Sequence, residues 1–427
     1  MRILFLSMWY PNRENPVFGT FVHEQAVALR DCGVDVRIVQ PIPYAPFPLG
    51  LMSERYAALA KIPEREVYEG FEVYHPRYLT LPQHLLFEHV GDWMYRSVKR
   101  MVEEIHAEWP FDVIHAHATY PCGYAANRLR DECLPSVKVV HTIHRTCIID
   151  APNYNAACRR KVQQALDGAD AGVFVASEGL RLADELTESR MAARSHYITN
   201  GVNTTKFSLH EADRAVLEQL KAEHADSWNL VFVGYLNQRK GLRELLPAVA
   251  HLVRAGHTRL KLFLVGRNEL GNYVGDFIRE HALQNNVVLV GSVHHSKVKH
   301  WMHFADAFIL PSHSEGLPTV LFESLFSATP SIFTRVGGIA DVVEDGEHAL
   351  LIAPGSTEAI CNAVERLMQD ESLRERLSRQ GHTLIRDNYT WQLNAEHHVA
   401  LYTSLLAEAA LSPDATTAPA PPVPAAH

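Results

Sequence analysis

Two glutamates, Glu315 and Glu323, stand eight positions apart in the stretch ADAFILPSHSEGLPTVLFESLFSATPSIFTRVGG, which runs from Ala305 to Gly338. The stretch reads as a buried strand, a polar loop, a short helix, a second strand and a Gly-Gly turn. Pro318 suits the first helical position, where its missing N–H would have no partner anyway. Glu315 then lies just ahead of a helix N-terminus, and Glu323 about 12 Å further along at 1.5 Å per residue. Free N–H groups at that terminus can hold an anion such as phosphate. The two carboxylates can accept hydrogen bonds from hydroxyls on either side of it. Sugar, diphosphate and ribose follow one another in that layout in a nucleoside diphosphate sugar. The competing reading is two surface glutamates placed where a helix dipole favours negative charge.

Such groups need elements to hold them, and the chain supplies βα units in two series. The first opens with the apolar run RILFLS at residues 2–7, suited to a buried parallel strand. A polar loop containing Gly19 follows. A helix is expected from about Phe21, with Thr20 as N-cap and Val22, Ala26 and Leu29 on one face. Gly19 permits close backbone approach to a ligand, and a tight turn explains it equally well. Residues 41–90 are rich in proline and apolar side chains, and two readings stay open for them. One is an excursion that meets an acceptor or a membrane surface; the other is a helical insertion packed on the sheet. Alternation resumes with the strands DVIHAH, VKVVHTIH and AGVFVAS, after which Ser177 is expected to cap a helix.

A polar stretch at 204–228 marks a boundary, and a second βα series runs from NLVFVGYL to SIFT. Helices are expected over 356–369, 371–387 and 391–410. The pattern predicts an α/β chain of two doubly wound, Rossmann-like domains facing a cleft. Residues 1–205 form the first and 206–387 the second. Residues 388–410 form a helix that packs back on the first domain. Residues 411–427, rich in Pro and Ala, are expected to be disordered.

Composition narrows the function further. The 427 residues are 47% hydrophobic and 21% charged, as in a globular chain. A formal charge of −9 argues against nucleic acid as the partner, since such binders need a basic surface. The six cysteines make no C-x-x-C pair, and HAH (His115, His117) and HH (His294, His295) are not metal signatures on their own. Free thiols, no metal and no cofactor are expected. The start MRILFLSMWYPN reads as a strand rather than a signal peptide. No apolar run approaches the roughly 18 residues a membrane span needs. A cytoplasmic protein is expected, with at most a peripheral contact at the inner face of a membrane.

EGLPTVLFE resembles the E-x7-E signature of retaining glycosyltransferases with the GT-B fold. The likeness extends over roughly residues 1–405. WYPNRENPVFGTFVHEQ is similar to bacterial members that build cell-surface polysaccharides, including the teichuronic-acid type. VGYLNQRKG resembles the family's phosphate-binding loop, NGVNTTKF its interdomain NGVD element, and VGGIADVVEDG its VGG-x-x-E-V-V loop. The resemblance implies that Lys240, with Arg239 beside it, pairs the diphosphate and stabilises the leaving nucleotide. It implies that Glu323 binds the ribose and Glu315 the donor sugar. The N–H groups of Gly316, Leu317 and Thr319 are the implied anion contacts, with Gly19 on the opposite wall. His144 matches the family histidine that contacts the donor sugar, and His117 is either scaffold or an acceptor contact. Tyr235 stands where the family usually has arginine, and the sequence leaves open whether Arg239 takes that contact. Ala328 stands where the family commonly has glycine, a change expected to alter packing more than chemistry.

The implied reaction moves a sugar from a nucleoside diphosphate sugar to a hydroxyl of a polysaccharide or lipid-linked glycan. Two other classes are weighed against it. A nucleotide-sugar epimerase of the same fold would need no acceptor. A Rossmann oxidoreductase, or a nucleotide-binding module without catalysis, would carry G-x-G-x-x-G after the first strand, where this chain reads YPNRENPVFGT.

Overall fold

The computed structural model describes residues 1–44, 46, 54–81 and 84–411. The proposed disordered tail, apart from Leu411, and parts of the 41–90 excursion lie outside the described residues. Among the described residues, ten strands belong to the first half: β1 (Arg2–Ser7), β2 (Asp35–Val39), β3 (Ile42–Tyr44), β4 (Arg65–Tyr68), β5 (Phe71–Tyr74), β6 (Arg77–Leu79), β7 (Val113–His117), β8 (Lys138–Ile143), β9 (Ala171–Phe174) and β10 (Ser195–Tyr197). Eight of them form one sheet in the order β10-β9-β8-β7-β1-β2-β5-β4, all parallel except the β4–β5 pair. Both faces are covered, so its central strands read as unbroken apolar runs; Ile3, Leu4, Phe5 and Leu6 have no exposed surface.

The second half holds β11 (Trp228–Val233), β12 (Leu260–Val265), β13 (Val287–Gly291), β14 (Ala307–Leu310), β15 (Ser331–Thr334) and β16 (Leu350–Ile352). Their order is β13-β12-β11-β14-β15-β16, and every pair is parallel. The order reverses between β11 and β14, and in the first sheet between β1 and β7. Ligands of such sheets lie beyond the carboxyl ends of the strands at that reversal. The Lys240 loop follows β11 and the Glu315 loop follows β14, so the second reversal lies between these two groups.

Long-range contacts join the halves. Helix Trp391–Leu411 returns to the first sheet, where Trp391, Ala395, Leu401 and Tyr402 share one apolar cluster with Val22, Ala26 and Leu29. Lys206 Nζ donates to Glu24 Oε1 at 2.6 Å, and Asn203 Nδ2 to Glu24 Oε2 at 2.7 Å. Burial alone would raise the Glu24 carboxyl; Lys206 and Asn203 outweigh it and hold it below the ordinary carboxylate range.

Several local expectations are corrected. Helix Thr20–Asp31 begins at Thr20 itself, with Gly19 as the left-handed N-cap and no side-chain cap. Helix Ser177–Thr187 likewise includes Ser177, whose N–H and Oγ both donate to Asp341 of the second half, at 2.8 and 2.7 Å. Pro318 is the N-cap of helix Thr319–Phe326 rather than its first residue. The polar stretch 204–228 contains helices Thr204–Phe207 and Glu211–Glu223. Among the described residues, the 41–90 segment is mainly strand rather than a helical insertion, with a 3-10 turn at Phe87–His89. It carries β3 to β6 and one short described helix, Glu54–Ala60, and β4 and β5 extend the main sheet.

Candidate active site

The loop after β14 presents its N–H groups as the sequence suggested. Those of Gly316, Leu317 and Thr319 donate no hydrogen bond among the described residues. The carbonyls of the same loop are occupied. Gly338 N–H donates to the Gly316 carbonyl at 2.7 Å, and Asn200 Nδ2 to the Leu317 carbonyl at 3.2 Å. The loop is thus held from behind by the VGG turn and by the interdomain NGVN element. Gly337 makes this approach feasible: its φ is +54°, and a Cβ there would lie 2.1 Å from the Glu315 carbonyl oxygen.

Lys240 and Glu315 meet directly. Lys240 Nζ donates to Glu315 Oε1 at 2.6 Å, and Ser312 Oγ donates to the same oxygen at 2.6 Å. Both charged side chains are nearly enclosed, with 11% and 6% exposure. An ion pair this buried stands only if the partners satisfy one another, because leaving either charge alone is expensive. Arg239 lies on the surface, and its side chain has no hydrogen bond or ion pair among the described residues. Its carbonyl accepts from His313 N–H at 2.8 Å, which ties the Lys240 loop to the Glu315 loop. Tyr235 is also exposed.

Glu323 is buried on helix Thr319–Phe326, and its Oε1 meets His295 Nε2 at 2.9 Å. The two face a small cavity between the halves, walled on the other side by Thr20, Phe21 and Glu24. In sequence His295 stands in an HH pair that is no metal signature on its own, and no motif marks it. Its place in the loop after β13, at the strand end that faces the cleft, is the signal that could have found it. Ser312 carries no local signature, and Asn200 is marked in sequence only as part of NGVNTTKF, with no contact of its own implied.

Across the cleft, His144 follows β8 directly. Its ring packs edge-on against Trp9 at 5.2 Å and Phe21 at 4.9 Å, and this crowding pushes its pKa down to about 3. The next residue touches the donor-side loop: a Cβ on Gly316 would lie 3.3 Å from Arg145 Cβ. His144 and the Glu315 loop therefore line the same gap. His117 is only 1% exposed and lies beneath His144, with Nδ1 at 3.4 Å from His144 Nε2. Of its two expected roles, scaffold fits this burial; a direct acceptor contact does not. Gly19 is required by the chain's own packing. Its φ is +70°, and a Cβ would lie 2.4 Å from the Trp9 carbonyl carbon.

Among the described residues, no group of three or more His, Cys, Asp or Glu side chains could hold a metal ion, and no helix is long and apolar enough to cross a membrane. All six cysteines are free thiols.

Residues 215–383 match the family Glycosyl transferases group 1, and residues 18–206 match Glycosyltransferase Family 4. The putative teichuronic acid biosynthesis glycosyltransferase TuaC of Bacillus subtilis is 27% identical over 372 residues, covering 87% of this chain and 90% of TuaC. Sucrose-phosphate synthase of Thermosynechococcus elongatus superposes with a TM-score of 0.75 at 20% identity, over 96% of this chain and all of that one (100%). HepE of Anabaena, solved in complex with UDP and glucose, superposes at 0.68 and 16% identity, over 95% of this chain and 100% of HepE. These matches favour neither the epimerase nor the oxidoreductase. With a group 1 glycosyltransferase domain behind the candidate donor loop and a family 4 domain across the cleft, the chain is a glycosyltransferase of the GT-B fold.

Proposed function

We propose that this enzyme transfers a sugar, with retention of anomeric configuration, from a nucleoside diphosphate sugar to a hydroxyl of a polysaccharide or lipid-linked glycan. One observation carries the reading. Three free N–H groups lie between two buried carboxylates, with a lysine on the first and a histidine on the second. A diphosphate fits the N–H groups and the helix N-terminus behind them. Glu323 then accepts from the ribose hydroxyls and Glu315 from hydroxyls of the sugar. Lys240 stands where negative charge grows as the nucleoside diphosphate departs. His144 faces the sugar from the other domain.

Retention follows if the acceptor hydroxyl attacks the face from which the phosphate leaves. The departing phosphate oxygen takes the hydroxyl proton, the bond from anomeric carbon to phosphate oxygen breaks, and the bond to the acceptor oxygen forms. No protein nucleophile is needed, and Lys240 with the helix N-terminus supplies positive charge where other transferases use a metal ion. Transfer should therefore persist in a chelator. TuaC, a putative teichuronic acid biosynthesis glycosyltransferase, and HepE, solved with UDP and glucose, support the reading. Exposed Leu85, Leu86 and Tyr44 on the first domain suit contact with a membrane that carries a lipid-linked acceptor.

The test is a panel of nucleoside diphosphate sugars offered with glycan acceptors, the product anomer being read by NMR. Retention supports the reading. Inversion, or conversion of the nucleotide sugar without an acceptor, would overturn it.

A further inference from the structure

A row of four imidazoles crosses the first domain and ends at the cleft. His398, on helix Trp391–Leu411, stacks on His115 with ring centres 5.4 Å apart and planes 29° apart. His115 stacks on His117 at 4.7 Å and 19°, and His117 on His144 at 5.7 Å and 17°. Alternation along β7 puts His115 and His117 on one face of the sheet. The inner members are fixed by their partners. His398 Nδ1 donates to the Asn394 carbonyl at 2.8 Å, so its Nε2 accepts from Gln25 at 3.0 Å. Both nitrogens of His115 are engaged, by Tyr402 Oη and Thr142 Oγ1. His117 is different. Its Nδ1 shares one hydrogen with His144 Nε2, and its Nε2 is enclosed without a partner.

That asymmetry selects a tautomer. If His144 Nε2 donated, the His117 proton would sit on Nε2, an enclosed N–H with no acceptor. If His117 Nδ1 donates instead, the atom left over is a bare lone pair. Buried orphan N–H groups are the rarer and costlier of the two. His144 then accepts at Nε2 and carries its proton on Nδ1, which has no partner among the described residues and is not among the enclosed atoms. We infer that His117 is a positioning residue that holds His144 as the Nδ1–H tautomer, so that the cleft meets an N–H donor rather than a lone pair. An N–H is what an oxygen of a donor sugar or phosphate requires. Burial keeps His117 itself neutral, so the single proton between the two rings is not duplicated. The inference rests on the proposed placement of His144 beside the donor sugar, but its test does not need the donor.

The full-length protein, labelled with 15N-histidine, is studied by two-bond proton–nitrogen correlation, with the His144 signals identified by their loss in His144→Gln. Wild type should show the proton on Nδ1 in excess over Nε2 by about tenfold or more, the ratio expected for one buried orphan donor avoided. His117→Leu should move His144 toward Nε2–H, and His117→Asn, whose side-chain N–H occupies the place of Nδ1, should restore the wild-type pattern. A proton on Nε2 in wild type overturns the inference even if no variant folds, as does an unchanged His144 in a folded His117→Leu. Separately, sugar transfer at the wild-type rate in His144→Gln would overturn the placement of His144 and leave the tautomer result standing.

Discussion

Lys240 and Glu315 show how much two residues can be asked to do. Each is nearly enclosed, and each satisfies the other at 2.6 Å. Removing Lys240 alone leaves a buried carboxylate without its cation, so Lys240→Met should destabilise the fold by about 3 kcal/mol or more. It should also slow transfer by about 10²–10³-fold, the usual effect of deleting one group that stabilises growing charge. The double variant Lys240→Met with Glu315→Gln should regain most of the stability and none of the activity. Urea unfolding and initial rates on the three proteins check this. Equal stability of Lys240→Met and wild type would show that the pair is not buried as described. Glu315 was legible in the sequence because a short motif carries it. Its pairing with Lys240 was not, because the two lie 75 residues apart and meet only where the sheet order reverses.

At the scale of elements, strands and the apolar helices were readable, since buried parallel strands are unbroken hydrophobic runs. Helix Glu211–Glu223 was not, because only Leu217 and Leu220 lean on the core and the remaining residues are polar, small or, like Val216, exposed. Its anchor is Asp213, bonded to Lys299 at 2.6 Å and His300 at 2.7 Å, partners that no local pattern announces. Helix caps were misjudged for a related reason. Ser177 was read as a local cap, and it bonds Asp341, 164 residues away. The change at Ala328 finds its meaning at this scale too. Ala328 follows helix Thr319–Phe326 with φ +55°, the left-handed region where glycine is at ease and a Cβ costs about 1 kcal/mol. Ala328→Gly should therefore raise the unfolding free energy by about 0.5–1 kcal/mol in urea, with transfer unchanged. A loss of stability would contradict the strain assigned to this position.

For the whole molecule, the buried histidines set the response to acid. His115, His117, His141 and His398 are buried in the first sheet or the helix packed on it, His144 is half-buried just after β8, and desolvation lowers every one of their pKa values. His141 and His144 fall to about 3 and His398 to about 4. Unfolded, each would titrate near 6.5. Below pH 6.5 the unfolded chain binds protons that the folded one refuses. Stability is complete above that pH and falls as pH drops toward the folded values, by about 1.4 kcal/mol per pH unit for each group. The lowered Glu24 carboxyl acts in the same direction, its contribution vanishing as pH falls below the ordinary carboxylate range. Calorimetric melting from pH 7.5 to 5 should show a steep decline that begins near 6.5, and a flat profile would contradict five imidazoles kept neutral by the fold.

The two domains meet through Ser177 and Asp341, through Glu24 and Lys206, and through the small cavity where His295 holds Glu323. On the proposed function, a nucleoside diphosphate binds in this junction with its ribose on Glu323. Titration calorimetry of UDP, ADP and GDP against wild type and Glu323→Ala, each checked for folding by thermal melting, tests it directly. One of the three should bind the wild type, and Glu323→Ala should weaken that binding by about tenfold or more, the effect of losing hydrogen bonds to a charged acceptor. Unchanged affinity in a folded Glu323→Ala would contradict the account.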